Sequence, residues 1–164
     1  MNQQRFRRPN GGLLVFAESV LATIVRHRQI DHDSKEAGGM LLGRLITGSE
    51  DIIIDRVTEP NAEDVRGRFK FIRSKGLAQK IVDQAWNESQ NTTHYLGEWH
   101  THPEDDPAPS GQDLINWNDI SKKSEHEFDS LFFVISGRRK LRAWEISRAD
   151  SHVLELTEVD AIET

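Results

Sequence analysis

The chain has 164 residues, a formal net charge of −6 and no cysteine. Its length is that of a single domain large enough to bury a hydrophobic core. The lack of cysteine excludes a disulfide framework and thiol catalysis. The acidic balance argues against a general nucleic-acid binder, although a loose basic patch is formed by Arg66, Arg68, Lys70 and Arg73.

The first segment is polar, and we expect residues 1–11 to be frayed. Three arginines then precede an apolar stretch, 13–25, which resembles a signal peptide. Glu18 interrupts this stretch, no cleavage pattern follows it, and it is too short to span a bilayer. We predict instead a soluble, cytoplasmic protein without a membrane partner, in which a strand (12–16) leads into a helix (17–28). The predicted buried helix face carries Val20, Leu21, Ile24 and Val25.

A hairpin is predicted next, with Glu36 to Ile46 as its first strand and Asp51 to Thr58 as its second. Glycines at 38, 39 and 43 are costly inside a strand. One interpretation is a bulge or a tight bend. The other, which we favour, is that another backbone or a substrate approaches closely beside Glu36.

Residues 59–68 have the composition of a loop. Phe69, Phe71 and Ile72 indicate a short strand after it. Ser74 is expected to cap a helix that ends near Ser89. The predicted buried face of this helix carries Leu77, Ile81, Val82 and Ala85.

The stretch from 94 to 102 ends in His-Thr-His, and its aromatic and apolar residues predict a strand. Residues two apart on a strand project to the same face. His100 and His102 are therefore expected to point to one place, with Thr101 facing away. Pro103 should end the strand because proline cannot donate to the ladder.

A proline-rich loop then leads to Ser110, a good helix N-cap residue. Asp113 falls in the first helical turn, from which its carboxylate could turn back towards the histidines. Two imidazoles and one carboxylate suit zinc and leave a fourth position for water. Two other interpretations stay open. Ser-x-x-Asp resembles a capping box, and the histidines could be a half-buried, hydrogen-bonded pair.

The remaining segments predict a helix to about Glu125 and then three strands. Leu114, Ile115, Trp117 and Ile120 should face the core from the helix. The continuous apolar run 131–136 indicates a central strand that is buried on both faces. Alternation over 141–147 and 152–159 indicates antiparallel strands. The predicted class is α/β, a mixed sheet flanked by helices in one domain.

His-Thr-His, seven residues and then Ser-x-x-Asp resembles the JAMM motif of the MPN/JAB metallopeptidase family. That motif also needs an upstream glutamate, and Glu36 is followed here by Ala-Gly-Gly-Met-Leu-Leu-Gly. Threonine at 101, where many members have serine, is a common variant, and the match spans about 80 residues. The resemblance implies a curved-sheet MPN fold over residues 12–160, with the glycine-containing strand along the cleft.

The resemblance also implies a metal site and a mechanism. One Zn²⁺ per chain would be held by His100, His102 and Asp113, with Glu36 as the base that activates water. The Ser110 hydroxyl would donate a hydrogen bond to the oxyanion. Glu98 has three open interpretations: a partner that orients a ligand, a rival base, or a solvated acid on the cleft rim. Whether the 59–68 loop gates the cleft is also open.

Characterised members cut the isopeptide or peptide bond after the C-terminal glycine of ubiquitin or a ubiquitin-like protein. This chain looks most like the small bacterial JAB peptidases found beside E1- and E2-like enzymes, notably in CBASS antiphage operons. The resemblance implies that it removes a conjugated cyclase, the CD-NTase, from its targets.

Three alternative functions remain: a hydrolase that acts on the tail of a small sulfur-carrier protein, a non-catalytic MPN scaffold, and a DNA-repair-type JAB protein. The last is ranked lowest, because those proteins usually read His-Asn-His-Pro-Ser-Gly, whereas this chain has Thr101 and Glu104-Asp105.

Overall fold

The computed structural model describes residues 3–123, 128–149 and 151–160. The strands are β1 (Gln4–Arg7), β2 (Leu13–Phe16), β3 (Gly38–Leu45), β4 (Ile52–Val57), β5 (Val65–Gly67), β6 (Lys70–Ile72), β7 (His94–Thr101), β8 (Ser130–Ser136), β9 (Leu141–Ser147), β10 (Val153–Glu155) and β11 (Thr157–Val159). The helices are α1 (Glu18–Arg26), α2 (Lys75–Glu88) and α3 (Gly111–Lys123). Among these residues no helix combines the length and apolar character needed to cross a membrane.

Nine strands form one mixed sheet in the order β10-β9-β8-β7-β3-β4-β2-β1-β11. The β2–β4 and β7–β8 pairs are parallel, and the other neighbours are antiparallel. Every residue of β8 is buried, which confirms the predicted central strand. The predicted hairpin is confirmed as β3 and β4. The metal-site candidates on β7 therefore lie in the middle of the sheet, between β3 and β8.

The two ends of the sheet are joined by one residue, Leu156. It separates β10 at one end of the strand order from β11 at the other. Leu156 is buried and its N–H donates to the Ala143 carbonyl at 2.9 Å. The single strand predicted over 152–159 is therefore two short strands. Because one residue connects the ends, the sheet must curl until they meet.

The curled sheet has a hydrophobic core on each face. On one face α1 contributes Val20, Leu21 and Ile24 to a large cluster with Phe16 and Phe132. On the other face Trp117 of α3 stacks on Phe133, with ring centroids 4.9 Å apart. Packing α3 on this face fixes its first turn beside the end of β7.

The expectation that residues 1–11 are frayed is wrong for the described part of that segment. Gln4–Arg7 forms β1, which pairs with both β2 and β11. Phe6 is buried edge-on against Phe16, with centroids 5.8 Å apart. The buried Arg8 guanidinium bonds to Glu145 at 2.8 Å. The segment is ordered because its central side chain belongs to the core.

Several predicted boundaries and faces are also wrong. Val25 and Ile115 were expected in the core but are 39% and 58% exposed, because each lies at the margin of its helix's apolar face. On α2, Ala78 and Ala85 are the buried residues, and Leu77, Ile81 and Val82 are half-buried. The 59–68 loop contains β5, which pairs with β6. The predicted helix end near Glu125 lies outside the described residues.

The glycines of β3 allow other backbones to approach closely. A Cβ on Gly39 would lie 2.1 Å from the Thr58 carbonyl oxygen, and one on Gly43 would lie 1.9 Å from that of Ile53. The β3–β4 register shifts between Leu42 and Gly43, so the bulge interpretation also holds at that position. β3 pairs with β7 from Gly38 to Gly43 and with β4 from Leu41 to Leu45, so it is paired on both sides only from Leu41 to Gly43.

Substitution of Gly97 on β7 is expected to cause a measurable loss of stability. Its φ is +137°, and an added Cβ would lie 1.7 Å from the Phe132 carbonyl oxygen. We expect Gly97→Ala to lower the free energy of unfolding by roughly 2 kcal/mol or more, because side chains rarely adopt this conformation and β8 must move away. Denaturant unfolding of the metal-free chain would measure this.

Gly76→Ala on α2 is the matched control, because nothing lies within 4 Å of the added atom. It should leave stability unchanged or raise it by up to about 1 kcal/mol through helix propensity. Equal unfolding midpoints for the two variants would contradict this account of Gly97.

Candidate metal centre

Two histidines lie at the carboxyl end of β7. His100 pairs with Gly38 of β3 and Ile135 of β8, and both imidazoles are largely buried. The Thr101 side chain points to the opposite side and bonds to the backbone of Ala37, as predicted. β7 ends at Thr101, two residues before Pro103, which confirms the expected strand end. The His-Thr-His spacing thus brings both rings together.

The two histidines and Asp113 place four possible ligand atoms close together, two imidazole nitrogens and both carboxylate oxygens. His100 Nε2 and His102 Nε2 are 3.1 Å apart. Asp113 Oδ1 lies 3.4 Å from the first nitrogen, and Asp113 Oδ2 lies 3.1 Å from the second. Ligands at 2.0–2.1 Å from a tetrahedral ion are separated by about 3.3 Å. The spacing of these nitrogen and oxygen atoms therefore fits a zinc-sized ion. A pair of histidines that only formed a hydrogen bond would not require this spacing.

The start of α3 positions the carboxylate. The Asp113 N–H donates to Ser110 Oγ at 3.0 Å, and the Ser110 N–H donates to Asp113 Oδ2 at 2.8 Å. This reciprocal pair is the capping-box arrangement, with aspartate in place of glutamate. The capping and metal-site interpretations are therefore compatible. The Ser110 oxygen accepts in this pair, so its own hydroxyl proton is left to donate elsewhere.

Glu36 lies across from these donors in the segment before β3. Its side chain is buried, and its carboxylate has no hydrogen-bond partner within the described parts of the chain. A carboxylate oxygen and the two imidazole nitrogens lie within 4.8 Å of one another. Burying most of a carboxylate side chain is costly unless another group compensates it, so this arrangement points to a role involving a bound group.

The β5–β6 hairpin holds the backbone of Glu36. The Glu36 N–H donates to the Gly67 carbonyl at 2.6 Å, and the Glu36 carbonyl accepts from Arg66 Nε at 2.9 Å. The Phe71 ring occupies the space that a Cβ on Gly38 would fill, with atoms 2.7 Å from that position. The segment predicted as a loop therefore contacts the site directly.

The two carboxylates of the site have pKa values shifted in opposite directions. Burial raises the pKa of Glu36, and the nearby charges of His100 and His102 only partly oppose this. Burial also acts to raise the pKa of Asp113, but hydrogen bonds from His100 and His102 outweigh it and hold that pKa far below its usual range. Asp113 is therefore a permanent anion, whereas Glu36 accepts a proton more readily than an ordinary glutamate.

Sequence reasoning missed Glu104 as a partner of the site. His102 Nδ1 donates to Glu104 Oε1 at 3.1 Å, which leaves Nε2 free to face the other donors. The sequence feature that could have identified it is an acidic residue two positions after His102, a candidate ligand.

Glu98, by contrast, is partly buried and ion-paired. It forms an ion pair with Arg73 and accepts from the Tyr95 hydroxyl at 3.3 Å. These contacts tie β7 to the segment that begins α2, and the interpretation of Glu98 as a solvated acid is wrong.

The ionisation of His102 predicts how metal affinity depends on pH. Burial alone would lower its pKa, but the hydrogen bond and charge of Asp113 raise it above the ordinary value. Only the neutral imidazole binds a metal. We therefore expect affinity for Zn²⁺ to weaken by at least about tenfold per pH unit below the pKa of His102 and to level off at higher pH. Competition with a chromophoric chelator between about pH 6 and pH 8 would measure this.

Glu104→Gln is the control for this dependence. It keeps an acceptor for His102 Nδ1 but removes a charge that raises the pKa of His102. The weakening should therefore begin at a lower pH than in the unmodified chain. An affinity that does not change with pH over this range in the unmodified chain would contradict the prediction.

Comparisons with known proteins identify the relatives of this chain. The profile of prokaryotic homologues of the JAB domain matches residues 17–147. A CD-NTase/cGAS isopeptidase from Pseudomonas aeruginosa is 42% identical over 132 residues, which cover 80% of this chain and 82% of the relative. One from Vibrio cholerae is 31% identical over 134 residues and 82% of each chain.

Two further proteins are more distant. A probable metalloprotease from Sinorhizobium fredii is 28% identical over 107 residues, 65% of this chain and 61% of that protein. The solution structure of a protein from Desulfitobacterium hafniense has a TM-score of 0.60 at 20% identity. It covers 87% of this chain and 88% of its own, and it shows the fold alone.

Proposed function

This chain belongs to the prokaryotic JAB-domain family and is a JAMM-type isopeptidase, and on this basis we propose how its site works and what it cleaves. The proposed activity is zinc-dependent hydrolysis of the isopeptide bond that joins a conjugated CD-NTase to its target, in antiphage defence. The relatives named CD-NTase/cGAS isopeptidases support this substrate.

We assign the metal ligands as His100, His102 and Asp113, with one Zn²⁺ per chain. Asp113 is preferred to Glu36 as the third ligand because its oxygens lie 3.1 and 3.4 Å from the imidazole nitrogens. For Glu36 a carboxylate oxygen lies within 4.8 Å of both imidazole nitrogens. The nitrogen and oxygen donors and their spacing favour zinc. When bound, zinc supplies Lewis-acid stabilisation of a carbonyl oxygen and lowers the pKa of water.

The chain's own side chains move the protons. The Glu36 carboxylate takes a proton from the attacking water as its oxygen bonds to the scissile carbonyl carbon. The same carboxyl group then gives that proton to the leaving amine as the carbon–nitrogen bond breaks. The Ser110 hydroxyl donates a hydrogen bond to the oxyanion that forms. Glu104 keeps His102 oriented throughout.

The substrate is proposed to enter as an extended C-terminal tail that ends in the scissile carbonyl. A tail with glycine at its end is thin enough to reach buried side chains such as Glu36. Formation of the bond cleaved here requires activation and transfer of a C-terminal carboxyl group to an amine, which is the chemistry of E1- and E2-like enzymes. We propose these enzymes as pathway partners.

One observation carries the proposal: a carboxylate oxygen of the largely buried Glu36 lies within 4.8 Å of the His100 and His102 nitrogens, close to the charge of Asp113. The test is to incubate the zinc-loaded protein with a CD-NTase joined through its C-terminal glycine to a lysine ε-amine. Release of the free CD-NTase, stopped by a chelator and restored by Zn²⁺, is the expected result. Cleavage of only a sulfur-carrier tail would favour that alternative, and bound zinc without any hydrolysis would favour a scaffold.

A further inference from the structure

Gln29 is a buried amide that joins three separate segments near the site. It lies between α1 and β3, and it is 1% exposed. Its Nε2 donates to the Arg68 carbonyl at 2.7 Å and to the Ser34 carbonyl at 3.2 Å. Its Oε1 accepts from the Thr101 hydroxyl at 2.8 Å. One side chain therefore links the β5–β6 turn, the segment before Glu36, and β7.

Thr101 continues this network to the residue next to Glu36. While donating to Gln29, its hydroxyl oxygen accepts from the Ala37 N–H at 3.0 Å. Its own N–H donates to the Ala37 carbonyl at 2.9 Å. Thr101 is fully buried and stands between the two histidines in the chain. The strand that carries the histidines is thereby fixed to the backbone that carries Glu36.

Glu36 depends on these contacts for its position. Its carboxylate has no hydrogen-bond partner in the described residues, so its own side chain does not anchor it. Its backbone is held on one side by Gly67 and Arg66. On the other side, Ala37 is held by Thr101. Gln29 connects both sides, since it bonds to Arg68 as well as to Thr101.

We propose that Gln29 and Thr101 are positioning residues that fix the Glu36 carboxylate relative to His100 and His102. This rests on the proposed function, because it assumes that Glu36 takes the proton from water. Neither side chain contacts a proposed metal ligand's donor atom. Loss of the network should therefore misplace the base while leaving the metal site intact. A displacement of about 1 Å can lower turnover by about 100-fold.

Thr101→Val is the main test, because valine keeps the shape and removes the hydroxyl. We expect kcat to fall by about 10- to 100-fold, with the Kd for Zn²⁺ and KM each within about twofold of the unmodified protein. Thr101→Ser restores the hydroxyl and should restore kcat. Gln29→Leu should resemble Thr101→Val, and the double variant should lose little more, because both changes break one network.

Ser136→Ala is the matched control. Ser136 is fully buried and pairs with Thr101 in the β7–β8 ladder, but among the described residues its hydroxyl forms one long hydrogen bond, to the Gly137 carbonyl at 3.5 Å. It should keep kcat within about twofold. The acid limb of the kcat pH profile should also move in Thr101→Val and Gln29→Leu, and not in Ser136→Ala, because the environment of Glu36 changes only in the first two.

The outcomes separate this inference from the proposed function. Failure of the zinc-loaded unmodified protein to cleave the conjugate would overturn the function itself. With an active unmodified protein, full kcat in Thr101→Val would overturn the positioning role. Equal losses of kcat and zinc affinity would overturn it too, by showing a general collapse of β7. The selective loss of kcat, with rescue by serine, would establish it.

Discussion

Replacing His102 by alanine is expected to abolish both zinc binding and hydrolysis. The change removes one of the three proposed ligands and leaves Asp113 without its partner at 3.1 Å. Metal content should fall from about one per chain to near zero. Hydrolysis of the conjugate should fall by about a thousandfold or more, because Lewis-acid stabilisation is worth several kcal/mol. Elemental analysis of the purified protein and the conjugate-cleavage assay would measure the two losses.

His32→Ala provides the matched control for His102→Ala. His32 is an exposed histidine in the loop before Glu36, and its backbone carbonyl, which substitution retains, is what accepts from Arg68. This variant should keep its metal and its activity. Unchanged zinc content in His102→Ala would remove His102 from the ligand set and with it the proposed centre.

Replacing Glu36 separates metal binding from catalysis. Glu36→Ala should retain zinc, because Glu36 is not a proposed ligand, and should lose hydrolysis by about 100- to 10,000-fold, the usual contribution of a general base. Glu36→Gln keeps the shape of the side chain and should show the same loss. Metal content together with single-turnover cleavage would measure both effects. An active Glu36→Gln variant would disprove the assigned base.

Thermal unfolding of metal-free Glu36→Gln checks that this loss does not arise from misfolding. Burial raises the folded-state pKa of Glu36, so its charged form is disfavoured in the folded protein. That cost is absent at low pH, where the group is protonated in both states, and appears as pH rises above the unfolded pKa. Glu36→Gln should therefore be at least as stable as the unmodified chain at neutral pH, and any advantage should vanish in acid.

The residues of the candidate site could be identified from sequence because most of them lie in one short stretch. Strand parity brings His100 and His102 together, and the N-cap at Ser110 turns Asp113 towards them. Both effects are local and follow from the chain's periodicity. Glu36 was identified only through the resemblance to a known motif. No local rule relates it to the other site residues, which lie 64 or more positions later in the chain.

Contacts between distant segments were not predictable in this way. Gln29 lies outside every predicted helix and strand, and only the assembled fold shows its bonds to Thr101 and Arg68. Val25 and Ile115 are apolar residues at helical spacing that the structure leaves exposed, because the width of a buried helix face depends on what packs against it. Residues 4–7 are ordered only through strands that follow later in the chain.

The connection through Leu156 also bears on how the chain folds. Arg5 pairs with Val159, and the adjacent side chains Gln4 and Glu158, 154 positions apart, are joined by a hydrogen bond of 3.1 Å. Bringing such distant segments together costs loop-closure entropy and slows folding. During synthesis, all the proposed site residues have been added by position 113, whereas β11 is added some forty residues later. The final strand must therefore leave the ribosome before the two ends of the sheet can meet.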